Sequence, residues 1–140
     1  MKVRHVLLDA LCLLSFAGSS AGALLYITAA LFFGEAVHQI TEFSAFDNTG
    51  RLSPLYFFLM GGSHLLSFAG VYRMWHSRKS GFLIYATAQT TILLLPLFWL
   101  GEEAFSSVAL IFTVLFLSGY FFVFIRMHSY SLENSRTLSR

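Results

Sequence analysis

Residues 55–75 read LYFFLMGGSHLLSFAGVYRMW, and the next five, HSRKS, carry two cations and no acid. An apolar run of this length, closed by a short basic turn, fits a helix that crosses about 30 Å of hydrocarbon and ends at a cytoplasmic surface. Three further runs repeat the pattern at residues 6–33, 81–100 and 108–127. Each meets or exceeds the roughly 20 residues a spanning helix needs at a rise of about 1.5 Å per residue. The expected fold is therefore all-α: an antiparallel bundle of four transmembrane helices forming a single domain over residues 1–140.

Charge placement orients the bundle. Lys2 and Arg4 precede the first run, Arg73, Arg78 and Lys79 lie between the second and third, and Arg126, Arg136 and Arg140 follow the fourth. Glu35, Glu42, Asp47, Glu102 and Glu103 fall on the opposite side, which leaves Arg51, Asp9 and Glu133 as the exceptions. By the positive-inside rule both termini are cytoplasmic, and the pattern fits a bacterial inner membrane. Tyr56 and Trp99 fall at the outer boundary and Tyr72, Trp75 and Tyr130 at the inner one, where amphipathic rings sit at headgroup depth.

Composition excludes several classes of function. With 56% hydrophobic and 11% charged residues, the chain lacks the roughly 25% charge that coats a soluble domain. A net charge of +2 gives no footprint for nucleic acid, so lipid, a second copy or another membrane protein are the expected partners. Cys12 is the single cysteine, which rules out an intramolecular disulfide or a four-cysteine metal site. It reads as a small packing residue. A basic start and Ala21-Gly22-Ala23 resemble a secretory leader, but the apolar run continues to Phe33, longer than a leader core, so an uncleaved span is expected.

The outer segment after the first run places Phe33, Val37, Ile40 and Phe43 on one helical face, and Glu35, His38, Gln39 and Glu42 largely opposite. An interfacial helical extension is expected there. Asp47-Asn48-Thr49-Gly50 supplies turn chemistry, Ser53-Pro54 has the form of a helix start, and Ser106-Ser107 that of a capping segment. Pro96 should bend the third span, and the tail over residues 129–140 should be flexible. Asp9 is expected to pair with Arg4, His5 or Arg73 at the inner interface.

Helix packing should rest on small residues, because helices in lipid gain little from the hydrophobic effect on association. Gly18 and Gly22, extended by Ser15 and Ala29, form one stripe, and Gly61, Gly62, Ser63, Ser67 and Gly70 favour close contact in the second span. At mid-depth, His64 and Gln89 stand level with Ser19, Ser20, Thr90 and Ser118. The expected role of this set is structural, with a neutral His64 hydrogen-bonded to Gln89 or a serine. The alternative is a proton or substrate pathway, since ionisable groups inside a span mark such routes. Haem ligation lacks a second midplane histidine, and Met60, one turn away on the same helix, is no opposite axial ligand.

Glu35, His38 and Glu42, with Glu102 and Glu103 from the other outer loop, are weak candidates for a metal site of carboxylate and imidazole donors. One Glu-x-x-His unit is present, whereas a di-iron bundle needs two such units and two further glutamates. The expected reading is a solvated helix face with no cofactor. No catalytic motif appears, so the sequence favours a non-enzymatic interaction or accessory subunit, with a small transporter or channel as the alternative and an outer-face metal binder as a third.

Overall fold

In the computed structural model, residues 6–43, 49–76, 78 and 80–137 are described, with side chains in the last helix described to Val123. The fold is all-helical, with no strand among the described residues. Its helices are α1 (Val6–Leu31), α2 (Phe33–Phe43), α3 (Pro54–Trp75), α4 (Ser80–Leu100) and α5 (Ser107–Thr137). Three are long and apolar enough to cross a membrane, over Leu8–Leu31, Pro54–Trp75 and Ser80–Leu100, and Ser107–Val123 is a shorter apolar stretch. Lys2, Arg4, His5, Asp47, Asn48, Lys79 and Arg140 lie outside the described residues, as do the side chains of Arg126, Tyr130, Glu133 and Arg136.

Local sequence chemistry sets the helix ends. Ser53 caps α3 by accepting from the Tyr56 amide at 3.3 Å, with Pro54 in the first turn where its missing N–H is not needed. Ser106 accepts from the Ala109 amide at 3.2 Å to open α5. Gly101, at φ +105°, turns the chain between α4 and a 3₁₀ turn at Glu102–Ala104, in a region of backbone space where L side chains are strained. The first helix ends at Leu31 instead of Phe33, with a turn at Phe32. The Phe32 and Ala36 amides still donate to Thr28 and Phe32 across it, so α2 is a near-continuous extension. α5 runs ten residues past the expected end at residue 127, because the segment 124–137 contains no Gly or Pro to stop it. The backbone there is helical where fraying is expected from the sequence.

α3 is the centre of the bundle, antiparallel to both α1 and α4. On the α1 side Phe16 meets Phe68, Tyr26 meets His64 and Phe33 meets Phe57, a descending register. On the α4 side the backbones close up: a Cβ on Gly70 would lie 2.6 Å from the Tyr85 amide nitrogen, and one on Gly81 2.6 Å from that of Met74. α5 lies to the side. It reaches α4 through Phe121 on Phe82 and Tyr120 on Tyr85, and α1 where Leu11 covers Gly119. α3 and α4 thus pack as neighbours, with α1 on the other flank of α3.

Two apolar clusters occupy the two ends. Cys12, Val71, Met74, Tyr85 and Tyr120 form one, and Ala30, Tyr56, Phe57, Met60 and Leu100 the other. The Trp99 indole donates to the Arg51 carbonyl at 3.1 Å, tying α4 to the 3₁₀ turn at Thr49–Arg51. α2 leans its half-buried Ile40 on the second cluster, while Phe43 is fully displayed.

Two substitutions test this account of the backbone. Gly70→Ala drives a methyl into the Tyr85 main chain, which cannot rotate away, and should cost about 1–3 kcal/mol in reversible unfolding, whereas Gly62→Ala, which meets open space, should be neutral. Gly101→Ala should cost about 1–3 kcal/mol through backbone strain alone, visible as a lowered unfolding midpoint with unchanged helix content.

Candidate functional site

Between the two clusters lies a polar layer, and Ser67 of α3 is its hub. Ser67 is fully buried, and its Oγ accepts from the Gln89 amide of α4 at 3.1 Å. The Ser19 hydroxyl of α1 is 2.9 Å away on the other side. Because the Gln89 nitrogen can only donate here, the Ser67 proton is available to Ser19, and one hydroxyl joins three helices.

A second junction forms one turn along α1. The Tyr120 hydroxyl of α5 donates to Ser15 Oγ at 2.9 Å, and the Tyr85 hydroxyl of α4 stands 3.4 Å from the same atom. The two phenol rings meet edge to face, with centroids 5.0 Å apart. Cys12, Ser15 and Ser19 are all buried on this face of α1, at the three- and four-residue spacing that keeps a helix face turned inward.

His64 belongs to neither junction. Its imidazole lies over Gly22, where a Cβ would overlap the ring, and stacks on Tyr26 with centroids 5.4 Å apart and planes 18° from parallel. The expected bond to Gln89 is not formed; the Gln89 amide donates to Ser67 instead. No hydrogen bond joins the His64 nitrogens to another of the described residues. The ring is half-buried.

The other candidates are dispersed. Thr90 is exposed and bonds the Ala86 carbonyl of its own helix at 2.9 Å, Ser118 is exposed, and Ser20 is half-buried. Gly61 lets Ile27 approach to 2.8 Å from where its Cβ would be, whereas Gly18 and Gly62 face open space. The stripe on α1 therefore runs through Ser15, Ser19 and Gly22. Tyr85 and Tyr120 complete the second junction and are absent from the sequence-derived set. The signal for them is a phenol in the interior of an apolar run, where the aromatic-belt argument gives it no place.

At the far end, His38 Nε2 lies 3.7 Å from Glu42 Oε1 one turn along α2, with both side chains well exposed. Such a surface pair contributes little. Glu35 is exposed on the same helix, and Glu102 and Glu103 are exposed in their 3₁₀ turn. Among the described residues no three His, Cys, Asp or Glu side chains gather closely enough to hold a metal ion. Asp9 forms no ion pair with Arg73 among them, and Arg4 and His5 lie outside the described residues.

Compared with known proteins, the chain matches no family model, no curated protein and no solved structure. Chemistry must be argued from the side chains alone. Among the described residues no serine hydroxyl is hydrogen-bonded to a His, Asp or Glu that would activate it as a nucleophile. The polar layer instead satisfies itself, with no buried side-chain N or O left unpaired among the described residues.

Since Ser67 serves two neighbours, Ser67→Ala should destabilise more than Ser19→Ala, and the double variant should lose less than the sum. A double-mutant cycle on the detergent-solubilised protein should give a coupling of about 0.6 kcal/mol. Full additivity would separate the two hydroxyls energetically.

Proposed function

We propose that the chain is a four-span membrane protein with both termini cytoplasmic, acting as a non-enzymatic interaction or accessory subunit. α5 supplies the fourth span: its apolar stretch Ser107–Val123 and the helical residues following it as far as position 127 reach about 30 Å at about 1.5 Å each, the hydrocarbon thickness. The orientation rests on the distribution of Lys and Arg, and the bacterial inner membrane is the setting that this distribution fits.

The observation that carries the subunit reading is the double use of Ser67. Mid-bundle polar side chains are spent on fastening α1, α3 and α4 to each other instead of lining a route between them. α5 meanwhile turns Ile111, Phe112, Leu115 and Phe122 outward, more than half exposed, as a face for lipid, a second copy or another membrane protein. A small transporter is the second reading, favoured by one feature: the half-buried imidazole of His64, unbonded at the middle of α3.

Native mass spectrometry of the protein released from a gentle membrane extract should show a second polypeptide or a second copy at fixed stoichiometry. A bare monomer would overturn the subunit reading. In liposomes the protein should pass protons no faster than protein-free vesicles, with His64→Ala altering stability only. Proton flux that His64→Ala abolishes would install the transport reading in its place.

A further inference from the structure

We infer that the groove between α3 and α4 beside Arg73 docks an anionic phospholipid, with the phosphate on Arg73 and an acyl chain in the groove. The inference rests on the membrane reading given above. The groove, of about 540 Å³, is lined by Leu66, Phe68, Ala69, Tyr72 and Arg73 of α3 and by Ile84 of α4. Leu66 lies seven residues from Arg73 along the helix, about 10 Å deeper, so the trough runs from the level of the α3 end into the apolar zone.

Carbon lines the deep part and Arg73 stands at the mouth. Arg73 is exposed and makes no ion pair with any described residue. The Arg78 amide donates to the Arg73 carbonyl at 2.9 Å, which folds the chain back and keeps Arg78, itself exposed, beside the end of α3. Asp9, the acid near this end of α1, is not paired with Arg73. The Tyr72 ring is braced against His76, with centroids 4.4 Å apart, and the His76 Nδ1 lies 2.9 Å from the Tyr72 carbonyl oxygen. These bonds also cover carbonyls of the last turn of α3, whose partial negative charge would otherwise oppose an anion.

A guanidinium offers a planar fork of N–H donors to two phosphate oxygens, and a net anionic headgroup carries no ammonium of its own to repel the second cation. The match is one of both shape and charge: a tail-width apolar trough with Arg73 at its mouth and Arg78 beside the same helix end. A zwitterionic lipid supplies the tail and the phosphate but gains less from Arg78.

Lipid-selective quenching tests it. The chain has two tryptophans, and Trp99→Phe leaves Trp75, two residues from Arg73, as the single reporter. The full chain in this background is reconstituted in phosphatidylcholine vesicles carrying a small fraction of brominated phosphatidylglycerol or brominated phosphatidylcholine. Brominated phosphatidylglycerol should be preferred about fivefold, the factor that one basic residue confers near a charged surface. Arg73→Gln should bring the ratio to parity. Arg78→Gln, outside the helix, should lower it in the same direction, and Arg51→Gln, at the opposite end, should leave it unchanged. Parity in the parent, or a preference that survives Arg73→Gln with circular dichroism unchanged, overturns the site. Failure of the chain to float with the vesicles, with no quenching by either lipid, would overturn the membrane reading along with it.

Discussion

The distance at which α1 can approach α3 governs the rest of this structure. Helices gain close contact only where side chains are small, and α1 offers Ser19 and Gly22 while α3 offers Gly61 and Ser67. At that separation Ser19 and Ser67 come within 2.9 Å, and the imidazole of His64 fits flat over Gly22. α4 closes on the other flank by the same device, using Gly70 and Gly81. A single interhelical hydrogen bond in lipid is worth only about 0.6 kcal/mol on average, so the bonds themselves are not the main force. Their value is geometric, because they form only in the register that the small residues permit.

Glue and pathway use the same residue types, and what separates them is where the bonds lead. Here the hydroxyls of Ser15, Ser19 and Ser67 terminate on one another, on Gln89 and on phenols, and the phenols of the Ser15 junction are themselves part of the apolar cluster around Cys12. His64 is different in kind. Its ring is held by stacking and by van der Waals contact, and it spends none of its hydrogen-bonding capacity on other described residues.

Periodicity and end signals made most of the helices legible in the sequence. Ser53-Pro54, the run to Trp75 and the short basic turn after it mark α3 within a residue, because cap chemistry and apolar length act locally. The α2 extension was equally visible from its apolar face. Side-chain partners were not visible, because depth alone does not give azimuth: Gln89 and His64 share a level, yet Ser67 intercepts the amide. Gly18 and Gly22 sit one turn apart and read as one stripe, but the helices cross so that Gly22 is covered and Gly18 is not. Tyr85 and Tyr120 were hidden because their polar tips are a small part of an otherwise apolar ring. α5 continues as a helix past its apolar stretch because hydropathy ends where helix propensity does not.

The hydrogen bond from Tyr120 to Ser15 joins residues 105 positions apart, in the last helix and the first. During synthesis α1, α3 and α4 emerge with all the groups of the Ser67 junction, so that three-helix unit can assemble before the chain is complete. Ser15 must wait. Until α5 arrives, a hydroxyl and the Tyr85 phenol beside it lack their final partner, and the cluster around Cys12 lacks a wall. The site on the first helix is therefore completed only when α5 docks, so the first and last helices depend on each other across the length of the bundle.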